Sequence, residues 1–269
     1  MFKKIYNSLK YHWKIKKIPL CWAFKLCGKR VPRNLKWIIG ADTDWRVPSD
    51  DDWKELEMHL GMSQAQADST GWRGTNEGTK LKSGGSSGFN ALMSGYRYTD
   101  GSFYSLGSYA YFWSSSASSS SLAWRRYLVT SYSTVNWNNG NKAFGFSVRL
   151  VRDLTSAEKL EDDGYKLDDY VGNDGKTYSA IKIGDQGWIT ENLKETKYND
   201  ETTIPRITNN TDWANDTTGA RCEYNNDADS ESDTHGYLYN WYAVDNAKNI
   251  VNPSGKKISA FKPRTMWFN

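Results

Sequence analysis

The residues that most often do chemistry are few and scattered in this chain. Cys21, Cys27 and Cys222 are its three cysteines. They make no disulfide framework and lack the paired C-x-x-C spacing of a zinc site. His12, His59 and His235 fall in no ligand motif. The run Asp50-Asp51-Asp52 could pass for a metal site, but Ser49 before it and the apolar spacing after it predict a helix start. There the carboxylates favour the positive end of the helix dipole. No Ser/His/Asp spacing or clustered carboxylate pair is evident. These patterns predict no metal, no cofactor and no catalytic residue. A different chemistry is concentrated between Tyr104 and Lys142, where Tyr, Ser, Trp, Asn and Gly dominate. Rigid amphipathic rings beside small adaptable hydrogen-bonding side chains are the composition of protein surfaces that recognise other molecules.

The elements that must position these residues are short. The chain has 269 residues, 38% hydrophobic and 14% aromatic. Its net charge of +4 is unevenly spread: residues 1–36 hold 11 Lys/Arg and no Asp or Glu, leaving 24 basic against 31 acidic residues elsewhere. The basic character belongs to an arm over 1–40, and the rest of the chain is not expected to bind nucleic acid. No apolar run approaches the ~20 residues of a membrane span. "KKIPLCWAFKLCGKR" is interrupted by Lys25 and has no small-residue cleavage site, so it makes a poor signal peptide. Within the arm, Ile5, Leu9 and Trp13 suit a short amphipathic helix ending at Pro19.

"VPSDDDWKELEMHLG" predicts a helix with Ser49 as N-cap, Asp52 completing a capping-box arrangement, Trp53, Leu56 and Leu60 on one face, and Gly61 as the stop. From Gly71 to Asp153, "SGFNALMSGYRYTDGSF" suggests two strands about a turn at Asp100-Gly101; "YAYFWSS", "AWRRYLVT" and "AFGFSVRLVRD" are strand-like. The serine run "SSSASSSS" reads as a loop held by Trp113 and Trp124, and Asn139-Gly140 reads as a turn. Residues 154–163 form an acidic connector with room for a helical turn. Beyond it, "TYSAIKIG" and "QGWITENLK" predict a hairpin about Gly184-Asp185, "NNTDWANDTTGARCEYNND" is turn-rich, and Tyr237, Trp241 and Val244 share a helical spacing. Residues 252–269 give no clear element.

Two stretches resemble the Fibrobacter succinogenes major paralogous domain. "DGKTYSAIKIGDQGWITENLKETKYNDETTIP…GYLYNWYAV", within 164–251, is similar to its front half. "WRVPSDDDWKELEMHLG…SGFNALMSGYRYTDGSFYSLGSYAYFWSSS…AWRRYLV…GFSVRLVRD", within 45–153, is similar to its back half. Here the back half comes first. A circular permutant, truncated pieces of two tandem domains, and halves exchanged between copies all account for this order; one permuted or swapped domain is preferred, because unpaired halves would expose strand edges and aromatics. The resemblance implies an α+β, C-type-lectin-like fold, loop-rich, with small antiparallel sheets and one or two helices.

Proteins with that fold include sulfatase-activating enzymes and retroelement-diversified variable proteins. The enzyme type requires cysteines near the closing "GF-R" motif, and residues 45–153 contain none. "NWNNGN" at 136–141 is similar to the Trp-Asn-Asp signature of calcium-dependent lectins, but Asn139 replaces the Asp and no Glu-Pro-Asn partner is present. Similarity to the diversified proteins implies a non-enzymatic adhesion or receptor-recognition module. Its binding face would include Tyr109, Tyr111, Trp113, Ser115, Trp124, Arg126, Tyr132, Asn136, Trp137 and Asn138, with Trp113, Trp124 and Trp137 equally readable as core pillars. The implied partner is a cell-surface glycan or protein, the implied location a cell surface or phage particle, and homo-oligomerisation stays open. A sulfatase-activating-type enzyme and a non-functional fragment of tandem domains are the alternatives.

Overall fold

A computed structural model describes residues 44–228, 231–245 and 250–255, which belong to one compact unit. The arm and the short helix expected in it, with Cys21, Cys27 and His12, and the tail from residue 256, lie outside the described residues. Helix α1 spans Asp50–His59 and starts as expected. The Ser49 hydroxyl accepts from the Asp52 amide at 3.2 Å, and the Asp52 carboxylate accepts from the Ser49 amide at 2.8 Å. Trp53, Leu56 and Leu60 are buried, and Gly61, at φ +122°, ends the helix. Short helices α2 (Gln64–Ala67) and α3 (Glu77–Leu81) flank strand β1 (Gly71–Arg73).

Next come β2 (Ser94–Arg97), β3 (Phe103–Leu106), β4 (Tyr109–Ala117), β5 (Leu122–Val129) and β6 (Val135–Asn141). They form a six-stranded sheet in the order β1-β6-β5-β4-β2-β3. Strand β7 (Val151–Asp153) precedes a 3-10 turn at Glu158–Leu160, followed by β8 (Lys166–Val171), β9 (Thr177–Ile183) and β10 (Gln186–Ile189). These strands make a second sheet, β7-β10-β9-β8. The expected hairpin is β9–β10, in which Ile183 faces Gln186 across Gly184-Asp185 and Gly184 takes φ +61°. Helix α4 (Asn210–Asn215), strand β11 (Arg221–Cys222), helix α5 (Glu231–His235), strand β12 (Leu238–Tyr239) and helix α6 (Trp241–Val244) complete the described chain. It is an α+β protein of small, mainly antiparallel sheets and few helices. None of its described helices is long and apolar enough to cross a membrane.

The two stretches of sequence interleave. Strand β7, from the first, pairs with β10, from the second. Phe146 bridges Tyr239, and the Trp113 indole donates to the Tyr239 carbonyl at 2.9 Å. The Trp241 indole donates to the Ser114 carbonyl at 2.9 Å. One core cluster joins Trp45, Trp113, Phe146 and Leu150 to Tyr170, Tyr178, Tyr239 and Trp241.

Several elements differ from expectation. "SSSASSSS" is not wholly a loop. Ser114–Ser116 continue β4, where small side chains let the entrance of α1 approach: the Ser115 amide donates to the Pro48 carbonyl at 2.9 Å, and the Ser116 hydroxyl accepts from the Asp50 amide at 3.0 Å. The loop is confined to 118–121. "AFGFSVRLVRD" is strand only from Val151, since Gly145–Leu150 is buried and bridges three different partners. Asn139-Gly140 lies within β6 rather than in a turn. "KLDD" at 166–169 is strand β8, and "NTDWAN" is helix α4, capped by the Asn209 side chain. The helical spacing of Tyr237, Trp241 and Val244 breaks at Asn240, whose side chain caps α6 and also accepts from the Ala220 amide at 2.9 Å.

Candidate ligand-binding face

Alternation along the six-stranded sheet sorts its side chains onto two faces. In register, Tyr111 faces Tyr127, Tyr127 faces Asn136 and Asn136 faces Trp72; Trp113 faces Arg125, and Arg125 faces Asn138. These residues share one face. Phe112 faces Arg126, and Arg126 faces Trp137, on the other.

The second face is closed by α1. Trp53 packs on Phe112 at 5.8 Å between ring centroids. The Glu57 carboxylate, fully buried, accepts from Arg126 at 2.9 Å and from Arg73 at 2.5 Å, while Asp50 accepts from Arg126 at 2.6 Å. Trp124 lies on this side with its ring 4.7 Å from Trp137, and Lys54 sits 4.7 Å over the Trp137 ring.

The first face is aromatic and partly open. Tyr109 and Tyr111 stack at 5.9 Å, Tyr111 and Tyr127 at 4.9 Å, and Tyr111 and Phe146 at 4.8 Å. Tyr96 meets Tyr111 edge-on at 4.9 Å and links to Tyr104 at 5.7 Å. At the opposite rim, Trp72 meets Tyr132 at 4.5 Å and Tyr127 at 5.0 Å. Trp72, Tyr98, Tyr104 and Tyr132 are 40–49% exposed. The hydroxyls of Tyr109, Tyr127 and Tyr132 make no hydrogen bond to the described residues. Burial raises the pKa of the Tyr96, Tyr111 and Tyr127 phenols above the ordinary value, which keeps them neutral, although Arg125 acts in the opposite direction.

The ten residues implied by resemblance are therefore divided. Tyr109, Tyr111, Asn136 and Asn138 come together on the open face, with Tyr132 at its rim. Trp113, on the same side of β4, is fully buried under Tyr239, and Asn136 is itself buried. Ser115 is half-buried at the entrance to α1. Trp124, Arg126 and Trp137 belong to the side facing α1, with Arg126 and Trp137 buried. Trp72, Tyr96, Tyr98, Arg125 and Tyr127 complete the face without having been singled out. Their signal was parity: Arg125 and Tyr127 alternate with Arg126, which the strand sends to the opposite side.

Two other features stand apart from this face. Cys222 is fully buried, and burial pushes its thiol up to about 12, so it is a poor nucleophile. A cavity of about 220 Å³ lies between Trp45, Val47, Val244 and Val251.

The Fibrobacter succinogenes major domain matches residues 33–152 and 181–262. These segments make up most of the chain, and the chain belongs to that family. Comparison with curated proteins gave no match, and comparison with solved structures gave none.

Proposed function

We propose that this protein is a non-enzymatic recognition module that binds a cell-surface glycan or protein through the open face of the six-stranded sheet. The observation that carries the proposal is the set of exposed aromatics, Trp72, Tyr98, Tyr104 and Tyr132, around the stacked rings of Tyr109, Tyr111 and Tyr127. Large rings held by their neighbours lose little freedom on binding and supply most of the affinity at such surfaces. The C-type-lectin-like assignment of the fold and a location at a cell surface or on a phage particle rest on family resemblance and belong to the same proposal.

The test is a combined glycan and protein array probed with the full chain and with a Trp72→Ala/Tyr132→Ala double variant. Each exposed ring removed costs about 1–2 kcal/mol of binding, so the double variant binds at least ten-fold more weakly. Binding unchanged by the double substitution overturns the assignment of this face.

A further inference from the structure

Arg125 occupies the middle of the open face. Its guanidinium carbon lies 4.9 Å from the centroids of both Tyr111 and Tyr127 and 5.6 Å from that of Phe146. Nε donates to the Asn139 carbonyl at 3.1 Å, and Nη1 is itself buried and has no hydrogen-bond partner among the described residues. None of their carboxylates pairs with it, whereas the adjacent Arg126 has two. The side chain is only half-buried. The neighbouring phenols are held neutral and do not cancel its charge. Gly140 makes room for it, because a Cβ there would stand 2.9 Å from the Arg125 Nε. Asn138, exposed and directly across the strand, uses its amide oxygen on the Asn139 amide, and its amide nitrogen stays available to donate.

We propose that Arg125 is the anchor for the carboxylate of an acidic glycan, one built from uronate or sialate sugars. This rests on the reading of the sheet face as the binding site. A partly desolvated guanidinium lacking an internal anion is completed by a carboxylate; with Nε committed to Asn139 and Nη1 buried, Nη2 is the donor that would meet it, in a charge-assisted hydrogen bond. The occupant is a glycan rather than an acidic peptide because the charge is surrounded by phenol hydroxyls and an asparagine amide, matching a ligand dense in hydroxyls. The rings of Trp72 and Tyr132 at the rim offer apolar surface to pyranose C–H groups.

The experiment measures binding of the full chain to polygalacturonate, hyaluronan and polysialic acid, to methyl-esterified polygalacturonate and dextran as uncharged counterparts, and to poly-glutamate. At least one carboxylated glycan is expected to bind, ten-fold or more above the uncharged glycans. Arg125→Gln should remove that preference, and Arg125→Lys should restore part of it. Urea unfolding of each variant confirms that the fold persists. Gly140→Ala, which crowds Arg125 without touching its charge, should weaken the same binding. Equal binding of charged and esterified glycans, still dependent on Trp72 and Tyr132, overturns the anionic anchor and leaves the face standing. Poly-glutamate binding as strong as that of the carboxylated glycans overturns the glycan assignment. Failure of every carboxylated glycan to bind at millimolar sugar overturns it as well, while the array with the Trp72/Tyr132 variant decides the face separately.

Discussion

Arg125 and Arg126 are chemically identical neighbours with opposite fates. Arg126 is buried between Glu57 and Asp50, while Arg125 lies among tyrosines on the open side. Glu57 is the hinge of the buried arrangement, since it alone faces both Arg73 and Arg126. Glu57→Ala would strand the buried Arg73 guanidinium and leave Arg126 with Asp50 alone, at a cost of about 3–5 kcal/mol. Urea titration should show that loss as a lower midpoint. Trp124 separates stability from binding. Its ring packs on Trp137 on the α1 side, so Trp124→Ala should lower the urea midpoint while leaving ligand affinity within two-fold, the reverse of the pattern expected for Tyr132→Ala. Nothing in "AWRRYLV" itself says which arginine faces the core. That choice depends on which side of β5 receives α1.

At the scale of elements, the connector after β7 is stapled by charge. Arg152 donates to both carboxylate oxygens of Glu158, at 3.0 and 2.7 Å, and the Thr155 amide donates to Glu158 at 2.8 Å. The Arg152 hydrogen bonds pull the Glu158 carboxyl down to about 2, against a smaller opposing effect of burial. Because the folded value lies below the ordinary 4.5, the stabilisation is present above pH 4.5 and is lost as pH falls through about 2. The Glu158 side chain is partly exposed, so the contribution is about 1 kcal/mol after screening. Stability measured from pH 5 to 2 should fall by about that amount more for the parent chain than for Glu158→Gln. The helix at Asp50–His59 and the β9–β10 hairpin were readable from local signals, a capping box and a Gly-Asp turn. Helix α4 and strand β8 were not: α4 is held by a distant contact, and the polar "KLDD" of β8 carries no apolar strand pattern. Trp213 of α4 lies under the Arg97 guanidinium at 4.4 Å, and β8 pairs with β9.

Across the whole molecule, the links between the two stretches predict a single unfolding unit. Arg149 is fully buried and donates to Asn192, 43 residues away, at 2.8 Å, as well as to the carbonyls of Phe89, Asn90 and Ile189. Burial pushes its guanidinium down to about 9. The Asn192 amide in turn donates to Ser94, Ser147 and the His235 carbonyl. Urea unfolding followed by tryptophan fluorescence and by far-UV circular dichroism should give one coincident transition. Asn192→Ala should shift that transition by about 2–3 kcal/mol, as expected when buried partners lose their hydrogen bonds. Two separated transitions would mean that residues 45–153 and 164–251 fold independently, and would defeat our proposal that they form one permuted or swapped domain.

The sequence by itself determined the family, through ordered motifs in both stretches, and the elements whose causes are local: the capped helix, the glycine turns and the alternating strands. It also showed where recognition chemistry is concentrated, between Tyr104 and Lys142. Only the tertiary structure decided which of those side chains face outward. Alternation specifies two faces but not which is covered, and the docking of α1 covers the face bearing Arg126 and Trp137. Tyr239 and Trp241, more than a hundred residues further along the chain, bury Trp113 and the end of β4. Serines that look like a flexible linker become strand because Pro48 and Asp50 hydrogen-bond to them. Burial depends on what the rest of the chain brings to a surface, and no local pattern of residues carries that information.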